Sequence, residues 1–166
     1  MTYLIWLLRI IHIGAGVFWV GGSLVMTFFV GPSIAAMGES GQKFIGHLMN
    51  NLKFSNRMSA ASGSSILAGL ILFWLDGRAG SAWFRSDFAT GLSIGAGFAL
   101  IGFVAGMLFG RATKAMAQLG AQIQGKPTSD QLTRMQTIQK QQGTYSTVTT
   151  ATLILAVIFM AIARYM

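Results

Sequence analysis

Four apolar runs, each long enough to cross a bilayer, decide most of what this chain can fold into. A helix of about 20 predominantly apolar residues spans a hydrocarbon core. The runs over about Tyr3 to Val30, Met58 to Leu75, Phe88 to Gly110 and Thr144 to Ala163 pass that test. In lipid every backbone N–H and C=O has to be satisfied, so each run is expected to be helical. A soluble domain of 166 residues would need far more than 10% charged residues to cover its surface. The expected fold is all-α: an integral membrane antiparallel four-helix bundle, one transmembrane domain over residues 1–166. The first run is too long for a signal-peptide core and lacks an evident cleavage site, so it is expected to be retained.

The connectors refine this picture. The first span is expected to stop at Gly31-Pro32, because proline and the residue before it disfavour helix continuation. Between Glu39 and Arg57 the spacing of Phe44, Ile45, Leu48, Met49 and Leu52 predicts an interfacial helix over about 39–57. Ser59, Ser62, Gly63, Ser65 and Gly69 give the second span a small-residue surface, and Asp76-Gly77-Arg78-Ala79-Gly80 closes it. Trp83 and Phe84 suit a membrane boundary. From Arg111 to Gln124 the third helix is expected to continue into water, and Gly125-Lys126-Pro127 makes a turn. Thr128 or Ser129 can then cap a helix that runs through Gln142 into the fourth span. The third and fourth helices would thus share a cytoplasmic extension.

Charge sets the orientation. The net charge of +8 does not point to nucleic acid, because the cations lie in the connectors. Lys43, Lys53, Arg57, Arg111, Lys114, Lys126, Arg134 and Lys140 share one face, against Arg78, Arg85 and Arg164 on the other, with Arg9 nearby. The excess of Lys and Arg marks the cytoplasmic side, which places both termini outside the cytoplasm.

Two features within the spans invite a functional reading. Gly91, Gly95, Ala99, Gly102, Gly106 and Gly110 recur at three or four residues, forming one stripe of the third helix. Small residues let backbones approach, so the stripe predicts close packing within the bundle or across a homodimer or partner membrane subunit. His12 is the other feature. About nine residues into the first span, it lies roughly 13 Å below the outer boundary at 1.5 Å per residue. An ionisable group at that depth is costly and is a functional candidate by default.

The face of the helix that carries His12 also carries Arg9, Gly16, Trp19, Ser23 and Met26, at spacings of three and four. A porphyrin requires such parts: an imidazole for iron, a glycine gap, a flat apolar wall and a cation for propionates. The competing expectation is that His12 bonds to a neighbouring helix and Trp19 simply packs. His47 belongs to the cytoplasmic connector, so it is not expected to share a metal with His12. A second axial ligand would be water, a methionine such as Met26 or Met107, or His12 of a second chain.

The pattern His12, Trp19 and Gly22 resembles the first helix of a group of four-helix bacterial membrane proteins. That group includes the copper resistance protein D-like domains and the membrane-bound, oxygen-independent protoporphyrinogen oxidases. The connector Gly41 to Arg57, Ser81-Ala82-Trp83, and Gly110-Arg111-Ala112-Thr113-Lys114-Ala115-Met116-Ala117-Gln118-Leu119 are similar in order and spacing. The resemblance implies a multi-pass protein of the bacterial inner membrane that binds haem b, with His12 as iron ligand. The oxidases carry a further histidine and lysine near the start of the third helix. Here Arg85-Ser86-Asp87-Phe88-Ala89-Thr90-Gly91 has neither, so that activity does not carry over.

Three readings follow. The first is a haem b protein serving as a small redox or electron-transfer component, with cofactor-binding residues His12, Arg9, Gly16 and Trp19 and His12 on the metal. The second is a copper resistance or transport component in which His12 and methionines contact metal. The third is a structural or assembly subunit docking through its glycines. Whether the chain is an enzyme is left open: no hydrolase constellation or phosphate loop is visible among its four acidic residues.

Overall fold

The apolar runs are helical, and the helices extend beyond them. A computed structural model describes residues 2–78, 80–123 and 125–166, and contains no strand among them. Ala79, in the turn expected after the second span, and Gln124, at the end of the expected extension, lie outside the described residues. Helix α1 covers Thr2–Val25, followed by one wide π-helical turn, Met26–Val30, and by α2, Gly31–Met37. After α3 (Glu39–Asn50) come α4 (Phe54–Gly77), the single turn α5 (Ser81–Phe84), α6 (Asp87–Ala121) and α7 (Ser129–Ile162). A closing 3-10 turn covers Ala163–Tyr165.

Four helical stretches are long and apolar enough to cross a membrane: Thr2–Met37, Phe54–Gly77, Asp87–Ala121 and Ser129–Tyr165. Their outer surfaces carry large apolar side chains, among them Trp6, Ile10, Val17, Leu67, Ile101 and Val157. Four hydroxyl side chains, Ser62, Ser65, Thr149 and Thr150, are buried between the helices. A surface of this kind suits a hydrocarbon solvent, in which apolar exposure costs nothing and polar groups find partners within the protein.

Proline does not stop the first helix. The N–H of Gly31 reaches back to the Met26 carbonyl, the five-residue step of a π turn. Pro32 then falls in the first turn of α2, where a missing N–H costs least. Ser33 Oγ donates to the Phe29 carbonyl at 2.7 Å, adding a donor beside the proline. The chain turns only at Gly38, whose φ of 56° is left-handed. The helix expected over 39–57 is also divided. Lys53 takes a φ of 51°, and Phe54 and Met58, beyond that turn, open α4.

Two helix pairs account for the tight packing. In the first, Gly22 of α1 meets Met58 of α4 and Gly16 meets Ser65, so numbers fall along α4 as they rise along α1. In the second, a Cβ added at Gly91 would lie 2.9 Å from Ala163, at Gly95 2.8 Å from Met160 and at Gly102 2.9 Å from Thr152. These approaches leave no room for a side chain, so Gly95 and Gly102 are taken up by α7 and Gly91 by the turn that follows it. Contacts between the pairs are sparser. Trp19 sets an edge on Phe103, with centroids 6.2 Å apart, and Thr27 Oγ1 lies 2.9 Å from Ser146 Oγ and 2.8 Å from Thr150 Oγ1.

Helices α6 and α7 have 35 and 34 residues, each about 50 Å long and well beyond a hydrocarbon core of ~30 Å. Thr128 caps α7 in a reciprocal box with Gln131: the threonine hydroxyl accepts from the Gln131 N–H while Gln131 Oε1 accepts from the Thr128 N–H.

Candidate functional site

His12 is held by one carbonyl. In a helix the carbonyl of residue i accepts from the N–H of i+4, and the side chain at i+4 crowds the approach from outside. The carbonyl of Ser65 faces α1, and the residue four places on is Gly69. With no side chain at 69, the His12 ring lies directly over α4. Its Nδ1 is 2.8 Å from the Ser65 carbonyl oxygen, and a Cβ built on Gly69 would sit 2.7 Å from Cε1 and 2.9 Å from Nδ1. The hydroxyl of Ser65 donates back to the His12 carbonyl at 3.0 Å.

These contacts fix the tautomer. A carbonyl only accepts, so Nδ1 carries the proton and Nε2 of the neutral ring carries the lone pair. Nε2 has no hydrogen-bond partner among the described residues, and it is not sealed away from the molecular surface. An imidazole held by Nδ1–H on a backbone carbonyl, with Nε2 open, has the orientation that metal-ligating histidines adopt.

The residues read with His12 serve different ends. The gap at Gly16 is occupied by Ser65 Oγ, 3.2 Å from where its Cβ would be. Trp19 is buried against Phe103. Arg9 is exposed one turn from His12, and Ser23 turns back onto the Trp19 carbonyl at 2.9 Å. Set against haem, His12 would supply an imidazole nitrogen and Arg9, one turn away, a cation.

A cavity of about 520 Å³ lies further along, between the two helix pairs and beside α3. Trp19, Met58, Phe103, Gly106 and Thr150 contribute to its wall, Arg111 and Lys114 also line it, and His12 is not part of it. Met26, Met49, Met58 and Met107 all face this space, so the methionines considered as second axial ligands are gathered away from His12. A neighbouring hollow of about 420 Å³ shares Met26, Thr27 and Met49 with it. His47 is exposed in the last turn of α3 and does not line the cavity. Among the described residues no group of three or more His, Cys, Asp or Glu could hold a metal ion.

Sequence reasoning missed Gly69 as the complement of His12, although the small-residue face of α4 was visible. It also missed Thr27, whose two hydroxyl partners lie on α7. Set beside known proteins, the chain matches no family model, no curated protein and no solved structure.

Proposed function

We propose that the chain is a four-span antiparallel bundle of a bacterial inner membrane that binds haem b through Nε2 of His12 and serves as a small redox or electron-transfer component. Both termini face away from the cytoplasm, and the long ends of α6 and α7 project into it. The observation that carries the reading is the His12 ring, with Nδ1 anchored on the Ser65 carbonyl and Nε2 without a partner among the described residues; the depth expected for it from the sequence is one where an imidazole is costly. Haem would supply a one-electron couple. The chain's own residues orient the ring, hold its proton on Nδ1 and place Arg9 one turn away for a propionate. Gly16 and Trp19 act indirectly, by letting Ser65 and α6 pack against α1.

The test is an absorption spectrum of the detergent-purified protein, oxidised and reduced. A Soret band that shifts on reduction and disappears in His12→Ala is the expected result. Colourless protein that takes up copper would replace this reading with a copper resistance component. Colourless, metal-free protein that copurifies with another membrane protein would leave a structural subunit. The orientation is tested separately: the chain has no cysteine, so a single cysteine placed at Ser129 should react only from the cytoplasmic side.

A further inference from the structure

The glycine stripe of α6 serves two purposes. Gly91, Gly95 and Gly102 are required by the close approach of α7 and the turn that follows it. Gly106 and Gly110 are not: a Cβ at Gly106 would meet only Thr149, at 3.9 Å, and one at Gly110 would meet nothing within 4 Å. Both line the 520 Å³ cavity, where a side chain would occupy the hollow. No packing within the chain accounts for their smallness.

The chemistry of an occupant follows from the wall. The upper part is aromatic and thioether, with Trp19, Phe103 and Met58. At the other end stand Arg111 and Lys114, three residues apart on α6, both exposed and both lining the cavity. Neither forms an ion pair among the described residues, where the one ion pair is Lys43 with Glu39. Arg111 directly follows Gly110, at the end of the apolar stretch, which is headgroup depth. From Phe103 to Lys114 is eleven residues, roughly 16 Å along the helix. The volume falls in the range of about 300–1,000 Å³ typical of small-molecule sites.

We infer that this cavity binds one anionic membrane phospholipid, an acyl chain lying between the helix pairs with its phosphate held by Arg111 and Lys114. The occupant is apolar along its length and negative at one end, which matches the wall at both ends. Gly106 and Gly110 admit the chain beside α6, and the hydroxyls of Ser59 and Ser62 line the opposite wall, on α4. The inference rests on the four-span reading above and is independent of haem, since His12 does not touch the cavity.

Native mass spectrometry of the full chain, released from detergent and titrated with phosphatidylglycerol or phosphatidylcholine, tests it, and any haem is separated by its mass. One phosphatidylglycerol should bind in preference to phosphatidylcholine, by roughly fivefold for each of the two cations. The exposed double substitution Arg111→Gln/Lys114→Gln should bring the two lipids to parity, while Lys53→Gln/Arg57→Gln, which removes cations that do not line the cavity, should leave the preference intact. Gly106→Leu should remove the tight adduct with the cations still present. Gly110→Leu, at an exposed position with open space, gives the same readout should Gly106→Leu fail to fold. Equal affinities in the parent protein, a preference that survives loss of both cations, or a tight adduct that survives the cavity-filling variants would each overturn the inference. Cysteine labelling at Ser129 from the wrong side would instead overturn the membrane orientation.

Discussion

Gly69→Ala adds one methyl group at the place where α4 touches the His12 ring, and its effect can be worked from the distances. The new carbon would lie 2.7 Å from Cε1 and 2.9 Å from Nδ1. Carbon contacts settle near 3.5–4.0 Å, so the ring has to withdraw by about 0.8 Å or more. Nδ1 now sits 2.8 Å from the Ser65 carbonyl, and that withdrawal takes the bond beyond useful length. Losing an interhelical hydrogen bond in a membrane costs ~0.6 kcal/mol on average and ~1.7 at most. Overpacking adds about 1–3 kcal/mol. Alanine in place of glycine in a helix returns ~1 kcal/mol. The net expectation is a destabilisation of about 1–3 kcal/mol.

Removing the ring should reverse the sign. In a His12→Ala background the methyl enters space the imidazole has left, and only the gain in helix propensity remains. A double-mutant cycle between the two positions should therefore show a coupling of about 2–4 kcal/mol, at the upper end of the roughly 0.5–3 kcal/mol found for residues in contact. Reversible unfolding in mixed micelles, followed by far-UV circular dichroism, measures all four corners. An equal cost of Gly69→Ala in both backgrounds would refute the argument, because the ring would then not be what the methyl meets.

Three further outcomes follow from the packing. Gly95→Ala should destabilise by about 1–3 kcal/mol, since its Cβ meets Met160 at 2.8 Å and the Ala156 carbonyl at 3.1 Å, whereas Gly97→Ala, with nothing within 4 Å, should be neutral or stabilising by up to ~1 kcal/mol in the same unfolding assay. Thr27→Val removes both hydroxyl contacts to α7 and should cost about 1–2 kcal/mol, with Ser146→Ala and Thr150→Ala each giving less in the Thr27→Val background than alone. Thr128→Ala should cost about 1 kcal/mol through loss of the cap, and amide exchange should quicken in the first turn of α7 while α4 is unaffected.

The helices were legible because each is written within its own segment. Apolar length marked the four spans, and Thr128 or Ser129 marked the start of α7, where Thr128 takes the cap. The stripe on α6 predicted a close approach, and Gly91, Gly95 and Gly102 make one. Pairing was not legible, since nothing in α1 names the helix its small residues will meet. The gap at Gly16 could suit a cofactor or a serine, and it holds Ser65. The threonines of the last span show the same limit. Thr144, Thr147 and Thr152 bond to carbonyls one turn back, as local chemistry favours, while Thr149 reaches the Gly102 carbonyl and Thr150 reaches Thr27. Proline misled for a related reason: Pro32 ends an ordinary α-helix, but a preceding π turn moves it to a first-turn position.

How the two pairs meet decides what the bundle can do. Between helices in lipid the apolar side chains gain little from each other, so association depends on close backbone approach and interhelical hydrogen bonds. Both are concentrated within the pairs, at Gly16, Gly22 and Gly69 in one and at Gly91, Gly95 and Gly102 in the other. Across the pairs stand one aromatic edge contact and the hydroxyls of Thr27. The cavity lies along this weaker seam, with Trp19, Phe103 and Thr27 contributing to its wall. Its width is therefore set by the few contacts that are cheapest to alter, and the four-residue unit of His12, Gly16, Ser65 and Gly69 can stay fixed while the hollow widens or narrows. The imidazole is anchored within one pair and the hollow lies between the pairs, so substitutions at Thr27 should change the cavity before they disturb His12.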